Sequence, residues 1–122
     1  MAKTVLIVDD SASIRQVSGI TLKGAGYEVL EAGDGKAGLA KLDGRKVHLI
    51  ITDINMPVMD GITFIKEVKK LASYRFTPIM VLTTESEEKK KVQGREAGAK
   101  AWVIKPFQPA QILDAVSKLI LP

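Results

Sequence analysis

Three carboxylates, a hydroxyl and a lysine stand at the ends of apolar runs in this sequence. Asp9 and Asp10 follow Thr4-Val5-Leu6-Ile7-Val8, and Asp53 follows Leu49-Ile50-Ile51-Thr52. Thr83 closes the run that starts at Pro78, and Lys105-Pro106 halts Ala101-Trp102-Val103-Ile104. If the runs are neighbouring strands, these groups converge. Three carboxylates at one point repel each other and raise their own pKa values unless a cation sits among them. Mg²⁺ suits such a set: it is a hard ion that takes one or two carboxylates with a backbone carbonyl and keeps waters for a phosphate to replace. The charge of a lysine in the same place answers negative charge building on a phosphoryl oxygen. The chemistry this points to is phosphorylation of Asp53. The plainer alternative treats the acids as turn formers and helix caps, and Lys105 as half of a structural ion pair.

Convergence depends on the elements that carry these residues. The first run is continuously aliphatic and β-branched, as a strand covered on both faces should be. Ser11 or Ser13 can cap the following helix, with Ile14, Val17, Thr21 and Leu22 as its apolar stripe and Gly24 and Gly26 as its end. Residues 27–32 alternate like an edge strand. A helix with Ala37, Leu39, Ala40 and Leu42 follows and ends near Gly44. The third strand spans 47–52, and Pro57 and Asp60-Gly61 turn the chain into a helix with Ile62, Ile65, Val68 and Leu71 on one face. The fourth strand spans 78–83. The charged segment 85–96, with Gly94 inside it, predicts the least stable helix of the set. Residues 101–104 form the fifth strand, and the last helix runs from Pro109 to Leu121 with Ile112, Leu113, Val116, Leu119 and Ile120 as its buried stripe. Five strands alternating with five helices through short connections give an α/β fold, a doubly wound parallel sheet with right-handed crossovers. In such a sheet all the C-terminal strand ends lie on one edge, where open α/β sheets place their ligands.

Length and composition narrow the classes. A chain of 122 residues suits one domain spanning 1–122. No apolar run approaches the length of a membrane span, no signal peptide is evident, and the absence of cysteine excludes disulfides and thiolate metal sites. A cytoplasmic, monomeric protein with no membrane partner is the expectation. The net charge of +4 is spread along the chain, and its densest run, Lys89-Lys90-Lys91, follows Glu87-Glu88 like a solvated helix face. Nucleic acid is therefore not an expected partner.

The segments VLIVDD, TDINMPVMDG, VLTTE and AGAKAWVIKPF, in that order, resemble the receiver domain of two-component response regulators along the entire chain. Asn55, Glu85 and the KPF segment bring it nearest the single-domain chemotaxis branch of that family. The resemblance implies a flavodoxin-like sheet of strand order 2-1-3-4-5. It implies that Asp53 is the phosphoacceptor, that Asp10, Asp53 and the carbonyl of Asn55 bind Mg²⁺ directly, and that Asp9 acts through water. Lys105 would pair with the phosphoryl group and Thr83 would donate its hydroxyl to it. Trp102 takes the place of a switch aromatic that turns inward on activation, where tyrosine is frequent. Asn55, Thr84 and Glu85 would tune hydrolysis; Thr84 is bulkier than the family's usual alanine or glycine. The implied protein is a signalling phosphoacceptor, not an enzyme, that assists its own phosphorylation and dephosphorylation. Its implied partners are a histidine kinase of the chemotaxis type and a flagellar motor switch protein or phosphatase, with a phosphate sink or stand-alone phosphorelay receiver as the alternative.

Three other readings compete. Gly33-Asp34-Gly35-Lys36-Ala37-Gly38 matches G-x-G-x-x-G between a strand and a helix, as a dinucleotide site would. Those glycines follow the second strand rather than the first, and the other nucleotide-binding half is missing, so they serve the turn and helix packing. A flavin carrier would offer hydroxyls and amides where Asp9-Asp10-Ser11 offers negative charge. A phosphatase of the haloacid dehalogenase type would place its nucleophile after the first strand and need a cap domain. His48, the only histidine, starts a strand away from the acids and is expected to do no chemistry, and Met56 and Met59 are expected to pack.

Overall fold

The computed structural model describes residues 2–120. The elements are β1 (Thr4–Val8), α1 (Ala12–Gly24), β2 (Glu28–Ala32), α2 (Gly35–Lys41), β3 (Leu49–Thr52), α3 (Gly61–Lys70), β4 (Ile79–Thr83), α4 (Glu88–Ala97), β5 (Ala101–Ile104) and α5 (Pro109–Leu119). The five strands form one parallel sheet of order β2-β1-β3-β4-β5. The fold class and strand order are those the sequence implied. Of the last helix as read from the sequence, Leu121 lies outside the described residues.

Alternate residues of the strands point to opposite faces, so each covered face builds its own core. On one side Leu6, Val8, Ile50 and Val81 pack with Phe64, Ile65 and Val68 of α3. On the other Val5, Ile7, Ile51, Met80 and Leu82 pack with Leu22 of α1 and Ile112 and Val116 of α5. Met56 and Met59 pack against the first of these cores, as expected.

The helix faces were read less well than the strands. Val17 was expected to be buried but is 48% exposed. The face of α1 that meets the sheet carries Ser18, Gly19 and Leu22. A Cβ added at Gly19 would meet Val29 and Glu31 at 3.8 Å, ordinary van der Waals distance, which places this face of α1 on β2. On α3, Leu71 is the partly exposed C-cap, and Phe64, not anticipated in the stripe, is fully buried. Phe64 and Val8 fill the space beside Gly38, and Met59 fills that beside Gly35. Gly35 and Gly38 thus serve close packing of α2.

The caps show why the helices start where they do. Ser11, Asp34 and Asp60 each accept a hydrogen bond from the third residue of α1, α2 and α3, from Ile14, Ala37 and Thr63 respectively. Such caps contribute about 1 kcal/mol each. The fourth helix has no side-chain cap at Glu87, and Gly94 is its only buried residue. It starts three residues later than the charge pattern implied, leaving Glu85 in the loop after β4. Among the described residues no helix is long and apolar enough to cross a membrane.

At the opposite end of the sheet from the acids, Nδ1 of His48 accepts the Thr4 backbone N–H at 3.0 Å. Partial burial, with Lys3 and Lys46 nearby, lowers the His48 pKa from its ordinary 6.5. The neutral form is therefore favoured in the fold. His48 contributes stability that is fully present above its unfolded pKa and is lost as pH falls below it. His48→Asn keeps an acceptor for Thr4 and removes the titration. In thermal denaturation, the loss of Tm between about pH 7.5 and about pH 5.5 should be smaller in the variant than in the wild type.

Candidate functional site

Strand register brings the acids together. Val8 pairs with Thr52 across β1 and β3, so Asp9 and Asp53, the next residues of each chain segment, leave the sheet side by side. The Asp53 N–H still donates to the Val8 carbonyl at 3.0 Å, and the Asp9 N–H to Ala32 at 3.1 Å. On the other flank the Lys105 N–H donates to the Thr83 carbonyl at 2.8 Å, and the Lys105–Pro106 bond is cis.

Oxygen atoms of Asp9, Asp10 and Asp53 all lie within 4.8 Å of one another. Asp9 and Asp53 are buried and Asp10 is exposed. Lys105 Nζ donates to Asp9 Oδ2 at 2.8 Å and to Asp53 Oδ2 at 3.0 Å. The remaining oxygens are also engaged: Asp9 Oδ1 accepts from the Ser11 N–H at 2.9 Å, and Asp53 Oδ1 from the Ile54 and Asn55 N–H groups at 2.6 and 3.3 Å. Burial raises the Asp9 pKa despite the bonds from Lys105 and Ser11, and the neighbouring Asp53 charge adds to the rise. Burial works against the charge on Lys105, but its bonds to Asp9 and Asp53 outweigh burial and raise its pKa. A half-buried lysine thus has its charged form favoured between two acids. One ammonium facing three carboxylates leaves the cluster short of positive charge. The donor set is all oxygen and partly open to solvent, which fits a hard divalent cation such as Mg²⁺.

Thr83 is the last residue of β4 and fully buried. Its hydroxyl accepts the Glu85 N–H at 3.2 Å, and the Glu85 carbonyl accepts the Trp102 indole N–H at 3.0 Å. Two hydrogen bonds thus link Thr83 to the β5 aromatic through one loop residue. The Trp102 ring also rests on α4, where a Cβ at Gly94 would come within 2.7 Å of Cζ3. The ring is half-buried against that helix in this structure. Asn55 and Thr84 are exposed and Glu85 is half-buried.

Arg15, which helps build the site, escaped the sequence reading, and Gly61 was legible only as the turn into the third helix. Arg15 Nη1 donates to the main-chain carbonyl of Asp9, and its Nε lies 3.3 Å from Glu31 Oε1. Gly61 opens α3 directly on the Asp53 backbone, with its N–H donating to Ile54 at 2.8 Å. Between them Val58 sits at φ 70°, with the Met59 N–H bonded back to the Pro57 carbonyl at 2.7 Å. That is a γ-turn of the rare, strained hand, and a β-branched residue occupies its centre.

The comparisons with known proteins agree with this geometry. Residues 5–117 match the model of the response regulator receiver domain. The chain belongs to that family. It is similar to the chemotaxis protein CheY4 of Vibrio cholerae, whose structure superposes with a TM-score of 0.94 at 46% identity over 98% of this chain and 99% of that one. It is 37% identical to the chemotaxis protein CheY of Thermotoga maritima over 98% of both chains. It is 39% identical to the phosphate regulon transcriptional regulatory protein PhoB of Pseudomonas aeruginosa, covering 98% of this chain and 52% of that protein. The chain therefore spans about half the length of some curated relatives it matches.

The close contact at Gly61 yields a stability prediction. A Cβ there would sit 2.0 Å from the Asp53 carbonyl oxygen and 2.7 Å from the Ile54 Cα. Both are backbone atoms, so no side chain can give way. Gly61→Ala should destabilise the protein by about 3 kcal/mol in urea unfolding, with an unchanged m-value.

Proposed function

We propose that this protein is a response regulator receiver that is phosphorylated on Asp53 in the presence of Mg²⁺ and signals to a partner through α4, β5 and α5. The observation that carries the proposal is the bridge from Lys105 to Asp9 and Asp53 inside a cluster of three carboxylates. Asp9, Asp10, Asp53 and the Asn55 carbonyl would hold the cation. When bound, Mg²⁺ supplies charge neutralisation for the phosphoryl oxygens and for the crowded acids.

Phosphoryl transfer asks a protein chiefly for alignment and charge neutralisation. An Asp53 carboxylate oxygen attacks phosphorus in line. The P–N bond to a phosphohistidine on a kinase breaks, and its electron pair stays on the imidazole nitrogen. Lys105, already charged, follows the phosphoryl oxygen as Asp53 gives up its own negative charge. In dephosphorylation a water oxygen bonds to phosphorus, the P–O bond to Asp53 breaks with its electron pair returning to the carboxylate, and inorganic phosphate leaves while the water's proton passes to solvent. Asn55, which follows Asp53 closely in the chain, and Thr84 and Glu85, which follow Thr83, set the lifetime of the acyl phosphate; membership of the receiver family supports that role.

The signal begins at Thr83. A phosphoryl oxygen would accept the Thr83 O–H, whose oxygen at present accepts the Glu85 N–H, and the hydroxyl must turn to make that bond. Rotation of Thr83 toward the phosphate frees the Glu85 N–H and loosens the loop whose carbonyl holds Trp102. This biases a two-state equilibrium only by the difference in phosphate binding between the two states. Helix α4, uncapped and anchored by one glycine, is the element able to respond. The kinase is a histidine kinase of the chemotaxis type, and the downstream partner is a flagellar motor switch protein; similarity to CheY4 of Vibrio cholerae supports the chemotaxis assignment. A phosphate sink carries the same site and differs in having no partner bound to its phosphorylated form.

Incubation with acetyl phosphate and Mg²⁺ should add one phosphoryl group by intact-mass spectrometry, and Asp53→Asn should abolish it. Addition that survives this substitution overturns the assignment. Beryllofluoride with Mg²⁺ should change the Trp102 fluorescence. An unaltered spectrum on verified binding removes Trp102 from the switch.

A further inference from the structure

Arg15 lies in the first turns of α1, five residues beyond Asp10, and takes no part in the chemistry described above. Its guanidinium joins two strands. Nη1 donates to the Asp9 main-chain carbonyl at 2.5 Å, and Nε lies 3.3 Å from Glu31 on β2. The Arg15 side chain is only 22% exposed. The planar fork of arginine can serve two acceptors at fixed spacing, which the single nitrogen of lysine cannot do in the same way.

The carbonyl it holds belongs to the peptide unit joining Asp9 to Asp10. That peptide is planar, so fixing its oxygen fixes the direction in which the chain enters Asp10. Asp9 has other restraints: its N–H is bonded to Ala32, Oδ1 to Ser11 and Oδ2 to Lys105. Asp10 has fewer. It is exposed, and among the described residues its carboxylate accepts no hydrogen bond, yet it lies within 4.8 Å of the Asp9 and Asp53 oxygens. Repulsion from two neighbouring carboxylates would drive a freely hinged Asp10 outward.

We infer that Arg15 is a positioning residue for the divalent-cation site: by tying the Asp9–Asp10 peptide to Glu31 it holds the Asp10 carboxylate over the place where the ion binds. The inference rests on the receiver reading above and deepens it. Outer partners that orient metal ligands commonly change metal affinity by about 10-fold or more when removed.

Charge and position predict opposite results, so they can be separated. As a charge alone, Arg15 repels a divalent ion; Arg15→Ala would then tighten binding and Arg15→Lys would leave it unchanged. As a positioning residue, both substitutions weaken it. Mg²⁺ alone, titrated calorimetrically into the metal-free protein, is the test. The expected result is a Kd raised about 10-fold in Arg15→Lys and in Arg15→Ala. Glu31→Gln keeps an acceptor for Nε and should stay within about 2-fold of wild type. At saturating Mg²⁺ the acetyl phosphate rate of Arg15→Lys should return to the wild-type value. Unchanged Mg²⁺ affinity in Arg15→Lys, or tighter binding in Arg15→Ala, overturns the inference while leaving the receiver reading intact. Failure of the wild type to bind Mg²⁺ removes both.

Discussion

Like charges gathered at the edge of a hydrophobic sheet would ordinarily drive the strand ends apart. Here the ammonium of Lys105 reaches between Asp9 and Asp53 and makes their proximity tolerable. Removing charges from water is costly, and a buried pair repays that cost only with good geometry and further hydrogen bonds. The Ser11, Ile54 and Asn55 amides supply those bonds. The arrangement remains one in which acids outnumber bases, a donor set consistent with a divalent-cation site.

The rest of the fold keeps this cluster in register. Parallel pairing of β1 with β3 sets Asp9 beside Asp53, and Gly61 allows α3 to start against the Asp53 carbonyl without displacing it. The strained γ-turn at Val58 lies in the short segment joining these two points. Strain of this kind persists only where surrounding contacts over-determine the backbone. The buried strand on one side and the capped helix on the other supply those contacts.

The sheet and the acids were readable because each signal is local: an apolar run of fixed length, ended by a charged residue that a core will not accept. Asp9, Asp10, Asp53, Thr83 and Lys105 needed only the rule that parallel strands end on one edge. Helix phase was harder. Ser18 and Gly19 face the sheet but carry no hydrophobic signal, so Val17 drew the expected stripe to the wrong side of α1. Arg15 was missed, and Gly61 was legible only as a turn residue, because their contacts depend on how closely neighbouring segments approach once folded. The contact between Gly94 and Trp102 is of the same kind, since the glycine reads in sequence only as a weakness in a helix. Trp102 itself was recognised through its family position, whereas its bond to the Glu85 carbonyl belongs to the three-dimensional structure alone.

The slight attachment of α4 has a consequence for how such a protein can diverge. A helix whose sole buried residue is a glycine commits almost none of its side chains to the core. Mutations along Lys89, Lys90, Lys91 and Arg95 can therefore accumulate with little penalty to folding, while the acid cluster and its strands stay fixed. The fold thus separates a tightly bonded acid cluster from a helix face that drift can rewrite, so sequence change on α4 need not disturb the strand ends.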